Sequence, residues 1–298
     1  MLAAVFTKNL TNPAYGAARL GAERAAALFG ADVLHFVPKK GDDPEEQSAL
    51  IDLALAMPKR PDIFIFSPVH VSLVDAAIRR IAVAGIPLVG FVNPIAAVPS
   101  VSYVGSDDYQ LAQSIADYLF QHLRGQGRVL VVTGHENSFT SKERLRGFRA
   151  AAQRYPGIRI EGVLAGDYVQ GLARERTATW LSEHPHVDAC LVANDIMAIG
   201  VLEALDAVGR HVPVVGVNAI PQAIHAIAAG HMLATADFNA MQMAHLATEC
   251  AVRHLRGEAV PAVINLPVHI VDGRNCHDWD LPYAQRRVIT LAQLKGQT

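Results

Sequence analysis

The chain has 298 residues, 51% of them hydrophobic and 18% charged, with a formal net charge of −2. That length is enough for a large core and two lobes, and the balance is that of a globular protein rather than a disordered one. There is no basic block to attract nucleic acid or an anionic membrane surface, and no apolar run approaches the ~18 residues that a spanning helix needs.

Strand-like and helix-like runs alternate along the chain. Residues 3–7 read as a strand and 13–29 as an Ala-rich helix stopped by Gly30. Residues 32–37 are a second strand, followed by a helix over 44–57 whose acidic first turn suits the helix dipole. Further strands are expected at 63–66, 87–92 and 100–104, with a helix over 71–84 between the first two. Asp107 or Asp108 then caps a helix that runs to Leu123. The pattern restarts after Gly125-Gln126-Gly127 with a strand at 128–133, a helix at 141–155, a strand at 158–164 and a helix at 170–184 that carries Trp180. Residues 189–193 and 212–217 are short buried strands around a helix over 196–205. A short helix at 221–229, a strand at 232–236 and a helix at 240–255 follow. Residues 260–266 and 267–271 read as one extended segment broken by Pro267, and from Asp272 onward the periodicity is lost in a surface tail. Strands alternating with helices of this length imply βαβ units, and the restart implies two parallel sheets: an α/β chain with two lobes.

The N-terminus runs directly into a strand with no basic region or cleavage site, so the expectation is a cytoplasmic protein or a mature form whose leader has been removed. The three cysteines form no CxxC; Cys190 reads as a buried strand residue, and a Cys250–Cys276 bridge stays open. The loop after the first strand, Thr7 to Pro13, lacks the glycines a dinucleotide needs, and no phosphate loop, HExxH or GxSxG occurs. Thirteen scattered histidines make no metal pattern. No cofactor is expected, and the missing catalytic set favours a binding protein over an enzyme.

Polar residues at strand ends point to where binding occurs. Asn194 and Asp195 stand between a buried strand and its helix, and Asn218 holds the same address on the next strand. In a parallel sheet ligands bind just beyond the carboxyl ends of the strands, and amides there suit hydroxyl groups.

Four ordered motifs resemble the type I periplasmic binding proteins, in the branch that serves sugar ABC importers. They are Asn12-Pro13-Ala14-Tyr15; Gly85-Ile86-Pro87-Leu88-Val89; Arg144-Leu145-Arg146-Gly147-Phe148; and Asn194-Asp195-Ile196-Met197-Ala198-Ile199-Gly200 with Val215-Gly216-Val217-Asn218. The resemblance implies two similar three-layer α/β/α lobes joined by three crossings near Gly105, Asp237 and Leu266. One lobe would be 1–105 with 238–265, the other 106–237 with 266–298. The lobes would close by hinge motion on a sugar, the closed form being recognised by a membrane permease. It further implies a periplasmic protein, a monomer, with no nucleotide, metal or nucleic acid. The effector-binding core of a LacI-type regulator shares the fold and is the alternative; such regulators carry a DNA-binding segment ahead of the first strand, and with that strand starting at residue 3 DNA binding is not the expectation, although a truncated chain would look the same.

The departures concern the solute. Where ribose binders of the family carry an Asp-Arg pair, this chain has Val92-Asn93; Asn218 replaces an Asp, and Lys142 stands where an Arg is common. Since a neutral amide both donates and accepts, the expected solute is a polyol or an unusual neutral monosaccharide. Each candidate has a plainer role. Asn12, Asn93, Asn194 and Asn218 are hydroxyl readers or else caps and turn residues. Tyr15 and Tyr168 are aromatic walls or packing residues. One of Lys142 and Arg144 reaches the solute, Arg144 being otherwise an ion-pair partner. His70, Asp237 and Phe238 either touch the solute or hold a loop and a crossing. Trp180 and Trp279 read as packing residues.

Overall fold

Short unbroken apolar runs become the inner strands of two mostly parallel sheets in the computed structural model, which describes residues 1–184 and 186–295. One unit holds β1 (Leu2–Phe6), β2 (Asp32–Phe36), β3 (Ile63–Phe66), β4 (Leu88–Phe91), β5 (Ser102–Gly105) and β11 (Val263–Asn265), all parallel, in the order β11-β5-β4-β3-β1-β2. Every residue of β1, β3 and β4 is buried, as strands covered on both faces must be. Ala4, Phe6, Phe36, Phe64, Phe66 and Leu88 form one core cluster with apolar residues of α2 (Pro44–Leu55) and α3 (Asp75–Val83). Phe6 is its centre, stacked on Phe36 at 4.8 Å and on Phe64 at 5.4 Å. The alternate strand residues serve the other face, where α1 (Pro13–Phe29) and α9 (Ala240–Leu255) pack.

The other unit holds β6 (Gln126–Thr133), β7 (Gly157–Ala165), β8 (Ala189–Val192), β9 (Val214–Val217), β10 (Ala234–Asp237) and β12 (His269–Asp272), in the order β12-β10-β9-β8-β6-β7, with β12 antiparallel at the edge. Its helices are α4 (Asp108–His122), α5 (Phe139–Gln153), α6 (Gln170–Glu183), α7 (Asp195–Ala207) and α8 (Pro221–Ala228). The glycine of the Arg-x-x-Gly-Phe motif has a packing reason. A methyl group at Gly147 would lie 2.4 Å from the Tyr109 carbonyl oxygen, so α4 and α5 touch backbone to backbone there.

In each unit the strand order reverses beside the first strand, β1 or β6. Such a switch point opens a crevice at the carboxyl ends of the strands, and the helices that follow present their capped N-termini there. Asn12, Asp107, Asn194 and Asn239 each cap a helix through the side-chain oxygen.

The units comprise Met1–Ser106, Asn239–Leu266 and the described residues from Tyr283 on, and Asp107–Phe238 with Pro267–Pro282. The three transitions each fall one residue beyond the expected positions. Assigning the whole tail to the second lobe is corrected: the Gln242 amide donates to the Ile289 carbonyl and accepts from the Ile289 N–H, both at 2.7 Å, and buried Glu249 accepts from the Leu291 N–H at 2.8 Å, which ties 283–295 to α9. The single extended segment is corrected too, since β11 and β12 belong to different sheets. All three cysteines are buried free thiols, so Cys250 and Cys276 are not bridged.

The end of β12 is closed by Asp272, which accepts from Tyr118 Oη at 2.8 Å, from Arg274 Nε at 2.9 Å and from the Arg274 N–H at 2.8 Å. The Arg274 side chain, helped by its backbone N–H and Tyr118, holds this carboxyl down at about 2. A lowered carboxyl pKa contributes stability above the unfolded-state value near 4 and loses it as the pH falls through the folded value; here that amounts to roughly 2 kcal/mol. Asp272→Asn should therefore lower urea stability at pH 7 by about 1–2 kcal/mol, and the difference from the parent protein should vanish between about pH 4 and pH 2.

Candidate functional site

In the first unit the carboxyl edge of the sheet is polar. After β1, Asn12 accepts from the Ala14 N–H at 3.0 Å and donates its own N–H to Asn9 Oδ1 at 3.0 Å, so the residue caps α1 and also closes the loop. Pro13 and Tyr15 follow in the first turn, and Tyr15 is buried. Lys8, 1% exposed, is paired with Asp42 at 2.9 Å, and Asp42 also accepts from Asn9 Nδ2. A buried ammonium needs such a partner.

The loop after β3 is clamped from two sides. Buried Gln47 donates to the Ser67 carbonyl at 3.0 Å and accepts from the Val69 N–H at 3.0 Å, while Asn93 Nδ2 donates to the Pro68 carbonyl at 2.7 Å. His70 then comes next in a fixed turn. Its Nδ1 accepts from the N–H groups of Ser72 and Leu73, both at 3.1 Å, so the neutral ring carries its proton on Nε2. Val92, ahead of Asn93, has φ of 64°, a conformation a β-branched residue adopts only under constraint. The constraint is visible: the Val92 N–H bonds the Val104 carbonyl at 3.0 Å, and Tyr103 Oη bonds the Val92 carbonyl at 2.7 Å. Asn93 is 2% exposed, and its Oδ1 has no protein partner among the described residues.

In the second unit the same edge is built around Asn194 and Asp195. Asn194 caps α7 by accepting from the Met197 N–H at 3.0 Å, yet its Nδ2, in a residue 1% exposed, has no protein partner among the described residues. Asp195 points sideways under the loop after β9, accepting from the Ile220 N–H at 3.0 Å and from Thr235 Oγ1 at 2.7 Å. A methyl group on Gly216 would fall 2.3 Å from Asp195 Oδ1, which explains the glycine of the Val-Gly-Val-Asn motif. Burial pushes the Asp195 carboxyl up to about 7, against the opposing pull of Thr235, the Ile220 N–H and the Arg144 charge. The loop so held carries Asn218 at φ of 127° and Ala219 at φ of 51°, two consecutive residues in left-handed territory. Asn218 is half-buried on the edge.

Arg144 takes the plainer of its two expected roles. It is 2% exposed, donates to Asp108 at 2.7 Å and to the Ala193 carbonyl at 2.6 Å, and lies 4.8 Å from the Phe238 ring centre. Phe238 is buried beneath that guanidinium rather than standing clear on the edge. Lys142, two residues earlier on α5, is exposed, with no ion-pair partner among the described residues. Tyr168, at φ of 62°, folds over Gly134 and bonds Thr140 through its hydroxyl at 2.9 Å. Asp237 closes β10 and accepts from the Trp279 indole at 2.9 Å.

The structure thus brings Asn12, Tyr15, His70 and Asn93 to adjacent strand ends of the first unit, and Arg144, Tyr168, Asn194, Asn218, Asp237 and Phe238 to those of the second. Sequence reasoning missed Gln47, Asp108, Thr140 and Thr235, which hold these residues from a distance. Only Thr235 stands out as a polar residue in an apolar run; Gln47, Asp108 and Thr140 sit among other polar residues at helix starts and carry no local signal.

Asp195→Asn replaces one acceptor oxygen with an NH2 that faces a donor, which should cost about 1–3 kcal/mol in urea unfolding. Because the folded carboxyl has a raised pKa, its contribution is complete below about pH 4 and declines as the pH rises through about 7. The penalty of the substitution should accordingly be larger at pH 5 than at pH 7.5.

Comparison with known proteins gives a consistent outcome. Residues 3–259 match the family of the periplasmic binding protein domain. The D-ribose/D-allose-binding protein of Pseudomonas aeruginosa is 27% identical over 70% of this chain and 69% of its own. The ribose import binding protein of Bacillus subtilis is 24% identical over 88% of this chain and 84% of its own. Among solved structures, a periplasmic solute binding protein of an ABC transporter from Actinobacillus succinogenes, with bound D-allose, superposes with a TM-score of 0.86 at 26% identity, covering 93% of this chain and 99% of that one.

Proposed function

Because the chain belongs to the periplasmic binding protein domain family, we propose that it is the solute-binding receptor of an ABC importer and that its solute is a neutral monosaccharide or polyol. One of the relatives named above is an import binding protein and another a solute binding protein of an ABC transporter, which supports a binder that releases its solute unchanged to a membrane permease. Family and relatives alike support a periplasmic protein, and we take it to act as a monomer and without nucleic acid.

The observation that carries the reading is the pair of unpartnered amide atoms, Asn93 Oδ1 and Asn194 Nδ2, each in a buried residue at the carboxyl end of a central strand. Buried polar atoms are normally hydrogen-bonded, so an acceptor and a donor left over at the ligand edge of a parallel sheet ask for a partner from outside the chain. A sugar hydroxyl both donates and accepts and satisfies either. We assign to the solute Asn12, Tyr15, His70 and Asn93 of the first unit, and Lys142, Tyr168, Asn194, Asn218 and Asp237 of the second. Lys142 enters because Arg144 is committed to Asp108 and Ala193, leaving the exposed lysine as the cation of that motif able to reach a ligand. Phe238 contributes by holding Arg144.

Asn194→Asp tests the reading without removing the cap, since the oxygen that accepts from Met197 remains while the donor is lost. In calorimetric titrations with D-ribose, D-allose, myo-inositol and glycerol, at least one compound should bind the parent protein, and the variant should bind it about tenfold more weakly. Failure of all four to bind or to raise Tm, or an unchanged affinity in Asn194→Asp, would overturn the assignment.

A further inference from the structure

Trp279 lies in the stretch whose sequence shows no periodicity, yet the fold returns it to the ligand edge. β12 pairs antiparallel with β10, His269 opposite Asp237 and Ala234 opposite Asp272, so β12 starts at the carboxyl edge of the sheet and ends at the amino edge. The chain then turns at Asp272–Asn275, where the Asp272 N–H bonds Asn275 Oδ1 at 2.9 Å and Asn275 Nδ2 bonds the Ile270 carbonyl at 3.0 Å. A four-residue strand advances only about 10 Å, a distance the next few residues recover. A 3₁₀ turn, Cys276–Trp279, packs against α8 and ends at the indole, whose Nε1–H donates to Asp237 Oδ2 at 2.9 Å.

This arrangement is costly if its only purpose is packing. Trp279 is half-buried rather than sunk in the core, its ring centre is 6.4 Å from that of His269, and its single donor is spent on a carboxylate that is itself 8% exposed at the end of β10. An indole donates one hydrogen bond and accepts none, so it fixes one oxygen of a carboxylate and thereby the plane of the group, without neutralising its charge as an arginine would. Resting on the solute-receptor reading above, we infer that Trp279 is a positioning residue for solute recognition: it orients the Asp237 carboxylate to accept from solute hydroxyls, and its ring reports their arrival. The tail that follows β12 thus contributes to specificity, favouring solutes that present hydroxyl donors to Asp237.

The chain has two tryptophans. Trp180 is buried, stacked on His184 at 4.4 Å, and lies against Gly162 of the edge strand β7, at the opposite side of the sheet from β10. Intrinsic fluorescence therefore separates them. The test uses whichever of D-ribose, D-allose, myo-inositol and glycerol raises the parent Tm most. Saturation with that compound should change the emission of the parent protein and of Trp180→Phe, and leave Trp279→Phe unchanged. By calorimetry Trp279→Phe should bind about 5- to 20-fold more weakly, with a solute-free Tm within about 4 °C of the parent. Because the indole acts through the carboxylate, Asp237→Ala with Trp279→Phe should bind no more weakly than Asp237→Ala alone. Binding by Trp279→Phe within twofold of the parent, additive losses in the double variant, or an emission change that survives in Trp279→Phe overturns the inference while leaving the receptor reading intact. If none of the four compounds shifts the parent Tm, the receptor reading fails and this inference with it.

Discussion

The fully buried carboxylate of Asp195 is the interaction on which the second unit's ligand edge depends. A parallel strand that stops abruptly leaves backbone donors in the loop beyond it, and burying them without partners costs about 1–3 kcal/mol each. Asp195 takes the Ile220 N–H, while Thr235, bonded to the other oxygen, lies within reach of the Ala219 N–H. Those contacts hold Asn218 and Ala219 in left-handed backbone, whose strain is of the order of 1–3 kcal/mol per residue. Each hydrogen bond to Asp195 spares a buried donor a penalty of similar size, so the loop persists, and Asn218 is presented on the edge as a result. Arg144 supplies the positive charge that makes a buried carboxylate tolerable, and it ties Asp108 and the carbonyl of Ala193 to the same point.

The first unit has the same strand order and reaches the same end by different chemistry. Its loops are held by neutral amides, Gln47 and Asn93, rather than by a carboxylate, and a buried ion pair, Lys8 with Asp42, lies beside β1. An amide uses one end as donor and the other as acceptor, so it can clamp a loop with one end and offer the other to a ligand. Asn93 does the first through Nδ2, which leaves Oδ1 over. Asn194 divides its amide in the opposite sense, its oxygen engaged by the helix and its nitrogen left over. The topology sets where the carboxyl edge lies, and the amide orientations set which end, acceptor or donor, each offers there.

This division explains how far the sequence could be read. Apolar runs bounded by Gly, Pro and Asn delimit strands, so the placing of Asn12, Asn194 and Asn218 just past a strand follows from local pattern alone. The strand and helix alternation likewise makes two α/β units legible, because each βαβ unit is a local event in the chain. What stayed hidden depends on contacts distant in sequence. Arg144 meets Asp108 across 36 residues, a partner that no local pattern names, although helical spacing does put Arg144 on the face of Gly147, Phe148 and Ala151 and Lys142 on the other. The glycine of the Arg-x-x-Gly-Phe motif was visible, but its reason, the Tyr109 carbonyl pressed against it, lies on another helix. The tail misled most. Without periodicity it reads as surface, yet 42 residues separate Trp279 from the carboxylate it bonds, and residues after 283 dock on α9 through Gln242 and Glu249.

The same reasoning bears on why an edge built from neutral amides suits a neutral, hydroxylated solute. A carboxylate offers acceptors only, so it reads hydroxyl donors alone, whereas an amide reads donor and acceptor alike. An unpartnered amide atom is a penalty of about 1–3 kcal/mol, which the folded chain can carry and which a hydroxyl relieves on arrival. The relief is conditional on geometry: Asn93 Oδ1 needs a donor and Asn194 Nδ2 an acceptor, the first fixed within its own unit by a clamp and the second within its own by a cap. An apolar molecule would leave such an atom unpaired and gain nothing from it. On the proposed assignment, discrimination between solutes rests on how many of these amide and carboxylate groups a given pattern of hydroxyls engages, and the penalty for each one missed separates one sugar from another.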